Sequence, residues 1–509
     1  MSAPLHPLIL APFAEVFVPW MERGLSRLRA AIPALNDVLA GDAVQDLGAG
    51  LLHELASAAA PTLVGIFQRQ PWRRSFSRNA SHDRDAFMRD LAEGGLAGLF
   101  ADFPALRPLL DVLADDWCSR SRHAVDRIEG DRGLLASVFG FEAPVARLEP
   151  IAGGGLVLTD ARGVRVVYKA RPLGLDRALC ELIRWINAQD AGLPLFVPAV
   201  IDRGRFGWMQ HVPSTPPSKP GERQHYLMRT GMLVCLAHAL GAGDLHADNV
   251  RAYGEHPVVL DAEVLLRPRR TGLDARSASP LSTGWLPTPV HVELSGLACE
   301  HFARLPRWHD AGSDAVRPAA RVPWRARLRE RVRASLKRDG QDGIAAICAG
   351  FSALYRCLCT RRLPLDVVAG ADVRVLLRPT RSYVDAIERS LDPEHLVSTR
   401  TRNVVVDKAL EQSPLPLRHV PQIAAAVRQA EALTVARLDV PRFTMPATGG
   451  ELQMDGEALG NPDFEAPIAR ARRFLSEMRV SSLDAQCRAI AASVATVAMG
   501  ADYAPEVWT

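Results

Sequence analysis

Apolar residues recur at helical spacing through the first 145 residues. Leu51, Leu52, Leu55, Ala58 and Ala59 form one set, and Leu106, Leu109, Leu110 and Leu113 another, so this stretch is expected to be mostly helix. From Leu148 the period changes. Val157-Leu158, a turn at Thr159-Asp160-Ala161-Arg162-Gly163 and the run from Val164 to Tyr168 read as a β-hairpin of β-branched residues, with Lys169 closing the second strand. A helix is expected over 176–187, where Leu179, Leu182, Ile183 and Ile186 share one face, followed by a strand pair around 197–202 and 206–211. A strong helix at 226–240, a loop at 244–249 and a short buried strand at 257–260 come next. Residues 267–320 are rich in Pro, Ser, Thr and Arg and predict irregular structure; beyond Pro323 helices return.

Composition narrows the class. The chain has 509 residues, of which 48% are hydrophobic and 23% charged, which excludes a disordered protein and leaves room for a sizeable core. The net charge is only +4, too near neutral over this length for a dedicated nucleic-acid binder, so no nucleic-acid partner is expected. The eight cysteines include no pair of CxxC units, which argues against a zinc ribbon, and Cys357 and Cys359 read as a buried structural thiol pair. The N-terminus lacks a basic n-region and carries Glu15, and the late apolar run 489–501 is too short to span a bilayer. A soluble, cytoplasmic protein with no membrane span is the expectation.

The stretch that carries chemistry is Gly243-Asp244-Leu245-His246-Ala247-Asp248-Asn249, followed by Val258-Val259-Leu260-Asp261-Ala262-Glu263. A loop aspartate, an asparagine five residues on, and a second aspartate after an apolar strand is the order found in protein kinases. Phosphoryl transfer needs a carboxylate to take or orient a hydroxyl proton, and amide and carboxylate oxygens to hold Mg²⁺ between phosphates. One loop and one strand end can present all three groups to one point. Lys169, on an upstream strand, is then the natural partner of ATP phosphates. Each piece alone is weak: a strand lysine is ordinarily a solvated charge, and an Asp/His/Asn loop is ordinarily a turn bonding its own backbone. Gly-Asp-Leu-His also resembles a metallophosphoesterase turn, but that chemistry needs a later Gly-Asn-His, and here Gly460-Asn461 is followed by Pro462.

With further segments added, the chain resembles the N-terminal dehydratase domain of LanM-type class II lanthipeptide synthetases from about residue 50 to about 470. The matching segments are Val166-Val167-Tyr168-Lys169-Ala170-Arg171-Pro172-Leu173, Phe206-Gly207-Trp208, the two motifs above, Thr283-Gly284-Trp285-Leu286-Pro287, and Leu294-Ser295-Gly296-Leu297. Arg374, Arg378-Pro379-Thr380 and Tyr383 match an Arg…Arg-x-Thr…Tyr motif, and Asp439-Val440-Pro441 with Phe443 matches an Asp-Ile-Pro-x-Phe motif. The resemblance implies an α+β fold with a two-lobed core like that of lipid and protein kinases, a helical N-terminal region and helical insertions. It implies that ATP phosphorylates Ser or Thr of a precursor peptide and that the phosphate is then eliminated to leave dehydroalanine or dehydrobutyrine. Lys169, Asp244, His246, Asn249, Asp261 and Glu263 would serve phosphorylation, with Asn249, Asp261 and Glu263 on Mg²⁺; Arg374 and Thr380 would serve elimination. His246 could bond phosphate, orient Asp244 or help remove the α-proton.

Two departures accompany the resemblance. The family's Gly-Asp-Ser-His loop is missing, and Gly153-Gly154-Gly155 stands near its place, where glycines permit backbone amides to approach a phosphate. The sequence ends at Thr509 without the family's zinc cyclase, so a separate cyclase or other modifying enzyme is expected to make any rings. The partner is expected to be a precursor peptide with a leader. The basic run Arg325, Arg327, Arg329, Arg331, Arg333, Lys337 and Arg338 reads either as a solvated helix face or as a dock for an acidic leader. Glu181 is placed to pair with Lys169 or to sit on a helix surface, and His238 reads as packed within its helix.

Four successive blocks are expected: a helical region at 1–145, a kinase-like N-lobe with the phosphate-binding lysine at 146–210, a C-lobe with the catalytic and metal loops at 211–300, and a helical elaboration carrying the elimination motif at 301–509. Two alternatives stay open. One is a kinase that phosphorylates a peptide or small molecule without elimination; the other is a non-catalytic, peptide-binding pseudokinase. Intact Lys169, Asp244, Asn249 and Asp261 count against the latter, and Arg374 with Thr380 favours the dehydratase.

Overall fold

The computed structural model describes residues 6–69, 82–270, 279–288, 292, 295–297, 307–319 and 322–500. Along the chain run α1 (Val18–Ala31), α2 (Gly41–Arg69), α3 (Leu106–Gly130), β1 (Val145–Ile151), β2 (Gly155–Asp160), β3 (Arg165–Lys169), α4 (Gly174–Asn187), β4 (Val200–Asp202), β5 (Gly207–Gln210), α5 (Pro220–Leu240), β6 (Val250–Tyr253) and β7 (His256–Val259). There follow α6 (Val322–Thr360), β8 (Asp372–Val375), α7 (Thr380–Ser390), α8 (Thr399–Glu411), α9 (Pro421–Ala436), β9 (Phe443–Pro446), β10 (Leu452–Met454), β11 (Glu457–Gly460), α10 (Pro467–Glu477) and α11 (Leu483–Met499). Shorter helical turns and two-residue strands lie between them.

These elements belong to two units, each assembled from three stretches of chain. The first takes residues 1–170, 305–319 and 376–441; the second takes 171–304, 320–375 and 442–509. The division is interleaved along the chain. Sequence patterns report local periodicity, whereas these units are joined by pairings between residues hundreds of positions apart.

In the first unit, α2 is buried along Leu51, Leu55, Ala59, Leu63 and Phe67, because an alanine- and leucine-rich helix offers apolar side chains all round. Its buried Asp46 is fully engaged: it accepts from Arg147 Nε at 2.7 Å and Nη2 at 2.9 Å and from the Leu148 backbone N–H at 2.8 Å, tying β1 to the helix. β1, β2 and β3 pair antiparallel in sequence order, and the expected hairpin is present with Val157 opposite Val167. Helices α7, α8 and α9 complete this unit around a buried polar trio. Arg378 donates to Glu431 through Nε and Nη2 at 2.8 and 2.9 Å, and Tyr383 Oη–H donates to Glu431 at 2.7 Å.

In the second unit the core gathers on α5 and α6, which pack with almost no side chain between them. A Cβ on Gly231 would meet Ile347 O at 2.0 Å, and one on Gly350 would meet Met228 O at 1.8 Å, so both positions require glycine. Helix α5 begins at Pro220, six residues before the expected Tyr226, because Glu222 closes a capping box with Lys219 and Ser218. His238 on α5 is buried edge-on to Phe474, with ring centroids 4.9 Å apart. Burial, with Arg470 adding, pulls its imidazole down to about 4. An unfolded histidine binds its proton near pH 6.5, so this contribution to stability is complete above that pH and is lost as pH falls toward 4. The thermal midpoint should therefore drop between pH 7 and pH 4, and His238→Leu should flatten that dependence; an unchanged slope in the variant would refute the assignment.

The region beyond residue 300 is not purely helical. Strands β8, β9, β10 and β11 form an antiparallel sheet in sequence order, with Arg374 opposite Thr444 and Val375 opposite Phe443. These strands are only three or four residues long. Too short to show alternation, they were hidden by the helices around them. Strand β6, which pairs with β7 as a hairpin, was hidden in the same way. Cys357 and Cys359 on α6 are half-buried rather than buried, and the seven cysteines among the described residues are free thiols; Cys299 lies outside them. On α6, Leu328, Val332 and Leu336 are buried while Arg327, Arg331, Lys337 and Arg338 are exposed; the side chain of Arg325 lies outside the described residues. Helix α2 and residues 326–360 of α6 are both long and apolar enough to cross a membrane by length and composition.

Candidate active site

Six of the residues singled out in the sequence come together in the second unit. Asp244, His246 and Asn249 lie on the loop between α5 and β6; Asp261 and Glu263 follow β7; Arg374 lies on β8. The loop is held from both sides. Gly243 N–H donates to Val264 O at 3.1 Å, Leu245 N–H to Thr283 O at 3.0 Å, and Leu260 N–H to Asn249 O at 2.8 Å. The Thr283-Gly284-Trp285 and Ser295-Gly296-Leu297 segments are thus buttresses: Ser295 Oγ donates to Trp285 O at 2.9 Å and caps Leu297 N–H at 3.1 Å. Leu294 lies outside the described residues. Asp244 takes a left-handed conformation, φ +62°, which costs a non-glycine residue on the order of 1 kcal/mol. Asn249 Nδ2 donates to Asp244 O at 2.7 Å and fixes that turn.

The charges of the site balance pairwise with one exception. Arg171 donates to Asp176 at 2.8 Å and to Asp261 Oδ1 at 2.7 Å, and its Nε lies 3.8 Å from Glu263 Oε2. Burial pulls its guanidinium down, but Asp176, Asp261 and Glu263 together raise it above the ordinary arginine value, so it is a permanent cation. Glu263 is buried; Oε1 accepts from Arg374 Nη1, and Oε2 from Arg442 Nε at 3.1 Å. The backbone repeats the link, with Arg374 N–H donating to Glu263 O at 2.9 Å. Three guanidiniums therefore face Asp176, Asp261 and Glu263.

Asp244 is the fourth carboxylate, and its near neighbour is His246, whose Nε2 lies 3.4 Å from Oδ1. Burial raises the Asp244 carboxyl, and Glu263 and Asp261 add to the rise, while His246 and Arg374 draw it back in part. A partly exposed carboxylate with an elevated affinity for protons is the group in this cluster suited to accept one.

Glu263 Oε1 and Oε2 each accept from an arginine, Asp261 Oδ1 accepts from Arg171, and Asn249 donates its amide N–H to Asp244 O, so all three residues expected on a cation are held in place by protein partners. Two further residues of the cluster, Asp176 and Arg442, carried no sequence signal. Asp176 lies in the first turn of α4, where Glu181 accepts from Arg177 on the same helix.

The remaining predicted residues lie in the first unit. Gly153 and Gly154 form the turn between β1 and β2 with φ of 69° and 70°, and Gly155 opens β2. Lys169 ends β3, where alternation buries Val166 and Tyr168 and leaves Lys169 half-buried. Tyr168 Oη accepts from Arg127 Nη1 at 2.5 Å. Thr380 is the exposed first residue of α7, preceded by Pro379 at the N-cap position. The Arg378 and Tyr383 of the same motif are structural, both spent on Glu431.

The Asp244–Asn249 loop, its buttresses and Arg374 all fall within one family match. Residues 103–446, more than half of the chain, match the family described as a domain of unknown function, DUF4135, and the chain belongs to that family. It is related to the lanthipeptide synthetases. It is also similar to the lacticin 481/lactococcin biosynthesis protein LcnDR2 of Lactococcus lactis subsp. lactis, 32% identical over 65 residues, which are 13% of this chain and 7% of that protein.

Proposed function

We propose that this protein is an ATP-dependent peptide dehydratase with a kinase-like core. The observation that carries the reading is the Asp244 carboxylate, whose ion-pair neighbour among the described residues is His246 and whose proton affinity is raised, on the same loop as Asn249 and beside Asp261 and Arg374. In the first step Asp244 takes or orients the proton of a Ser or Thr hydroxyl, whose oxygen attacks the γ-phosphorus of ATP while the bond to ADP breaks. Asp261 and Asn249 would hold Mg²⁺, which shields the charge of the phosphates. Lys169 and the Gly153-Gly154-Gly155 turn are assigned to the ATP phosphates, the lysine as a cation and the turn through backbone N–H groups.

In the second step the peptide Cα–H proton goes to a base, the Cβ–O bond breaks with its electrons moving to phosphate, and the released phosphate carries a proton away as HPO₄²⁻. Arg374 takes the developing charge, and Thr380 offers a hydroxyl to a phosphate oxygen. A kinase without elimination is the second reading, favoured by the engagement of Arg374 with Glu263.

Intact mass of precursor peptides after incubation with ATP and Mg²⁺ separates the two. Wild type should remove water from the peptide. Arg374→Ala should instead accumulate phosphopeptide, with elimination slowed about 10²-fold or more. Phosphate gain by wild type itself would sink the elimination step.

A further inference from the structure

We propose that Arg442 is a second phosphate-binding arginine of the elimination step, acting with Arg374; this rests on the dehydratase reading. In the β8–β9 ladder Arg374 pairs with Thr444, and paired residues share a face of the sheet. Side chains two positions apart share that face as well, so Arg442, two residues before Thr444, stands diagonal to Arg374. The side-chain contacts agree with the register. Arg374 and Arg442 hold separate oxygens of the one Glu263 carboxylate. Two oxygens of one anion gripped by two separate guanidiniums is also how a phosphate is held.

The third arginine of the cluster is different. The Arg171 side chain is 11% exposed and is committed to Asp176 and Asp261. Arg374 and Arg442 are 17% and 28% exposed. Each guanidinium has five N–H donors, and the bonds to Glu263 use one of them, Nη1 of Arg374 and Nε of Arg442. Both arginines thus keep donors for a second anion while Glu263 fixes their separation. The bond changes are those of the elimination itself: Cα–H and Cβ–O break, the C=C bond forms, and phosphate leaves as HPO₄²⁻. Arg442 holds one phosphate oxygen while Arg374 holds another. Glu263 is a positioning residue for the pair.

The test supplies a synthetic phosphoserine precursor peptide, with ADP and Mg²⁺, and follows loss of phosphate by mass in single turnover. The expected result is elimination about 10²-fold slower in Arg442→Ala. Arg442→Lys should recover part of the rate, because a point cation replaces the fork only partly. The ratio of elimination to phosphorylation should fall, so that Arg442→Ala given unmodified peptide and ATP accumulates phosphopeptide. Wild-type elimination by Arg442→Ala overturns the proposal. So does an equal fall in both steps with a lowered thermal midpoint, which would make Arg442 structural. Wild type that fails to release phosphate from the phosphopeptide overturns the dehydratase reading as well, before any variant is compared.

Discussion

Asp244→Asn is expected to slow phosphate transfer to the precursor peptide by about 10²- to 10⁴-fold, the range spanned by loss of a positioned general base. The substitution keeps shape and removes the proton acceptor. Its fold should survive. Burial and two neighbouring carboxylates raise the Asp244 carboxyl, which means that the folded state disfavours the charged form; above the raised value the charge costs stability rather than adding it. The thermal midpoint of Asp244→Asn at pH 7 should therefore equal or exceed that of wild type. The same shift sets the pH profile. Phosphorylation by wild type should fall on the acid side at a pH above the ordinary aspartate value of about 3.9, as Asp244 becomes protonated. Full phosphorylation by Asp244→Asn would remove Asp244 from the mechanism.

Glu431→Ala should have the largest effect on stability. Glu431 and Arg378 are both buried, with side chains 0% and 2% exposed, and the glutamate also accepts from Tyr383. Removing one partner of a buried pair strands the other charge, at a cost of about 3–5 kcal/mol. Replacing both, as in Arg378→Met with Glu431→Met, should cost clearly less than the single change, because no charge is left unpaired. Tyr383→Phe should cost about 1 kcal/mol, the worth of one hydrogen bond. Denaturant unfolding checks all three. A Glu431→Ala protein that unfolds at the wild-type midpoint would show that the trio contributes nothing.

The trio also shows where sequence reading stops. Arg374, Arg378, Thr380 and Tyr383 read as one motif, yet Arg374 reaches Glu263 in the second unit while Arg378 and Tyr383 anchor helices to Glu431. Nothing in spacing separates an arginine that meets a buried glutamate among helices from one that meets a buried glutamate near Asp244. The partner decides, and the partners are 53 and 111 residues away.

What was legible was local. The β-branched hairpin at Val157 and Val167, the apolar face of α4 and the Asp244–Asn249 turn all lie within short windows, where periodicity and turn chemistry act directly. Asp176 and Arg442 were invisible for the opposite reason. One opens a helix and the other precedes a strand, ordinary places for charged residues, and both matter only through Arg171 and Glu263. Glu263 is the instructive case: its place after β7 is legible, but its arginine partners Arg374 and Arg442 lie 111 and 179 residues away.

The interleaving of the two units has a consequence for how the protein is made. The first unit includes the Asp116–Arg437 ion pair, and the second includes the Ser493–Pro287 hydrogen bond. A ribosome delivers residues in order, so the first unit lacks part of its chain until Pro441 has been added, and the second until the stretch from Arg442 follows. Helix α5 must wait for α6, which begins at Val322, with the face that packs on it exposed, the state in which chains aggregate or engage chaperones. Translation stopped near residue 400 would yield two unfinished bodies rather than one finished and one missing.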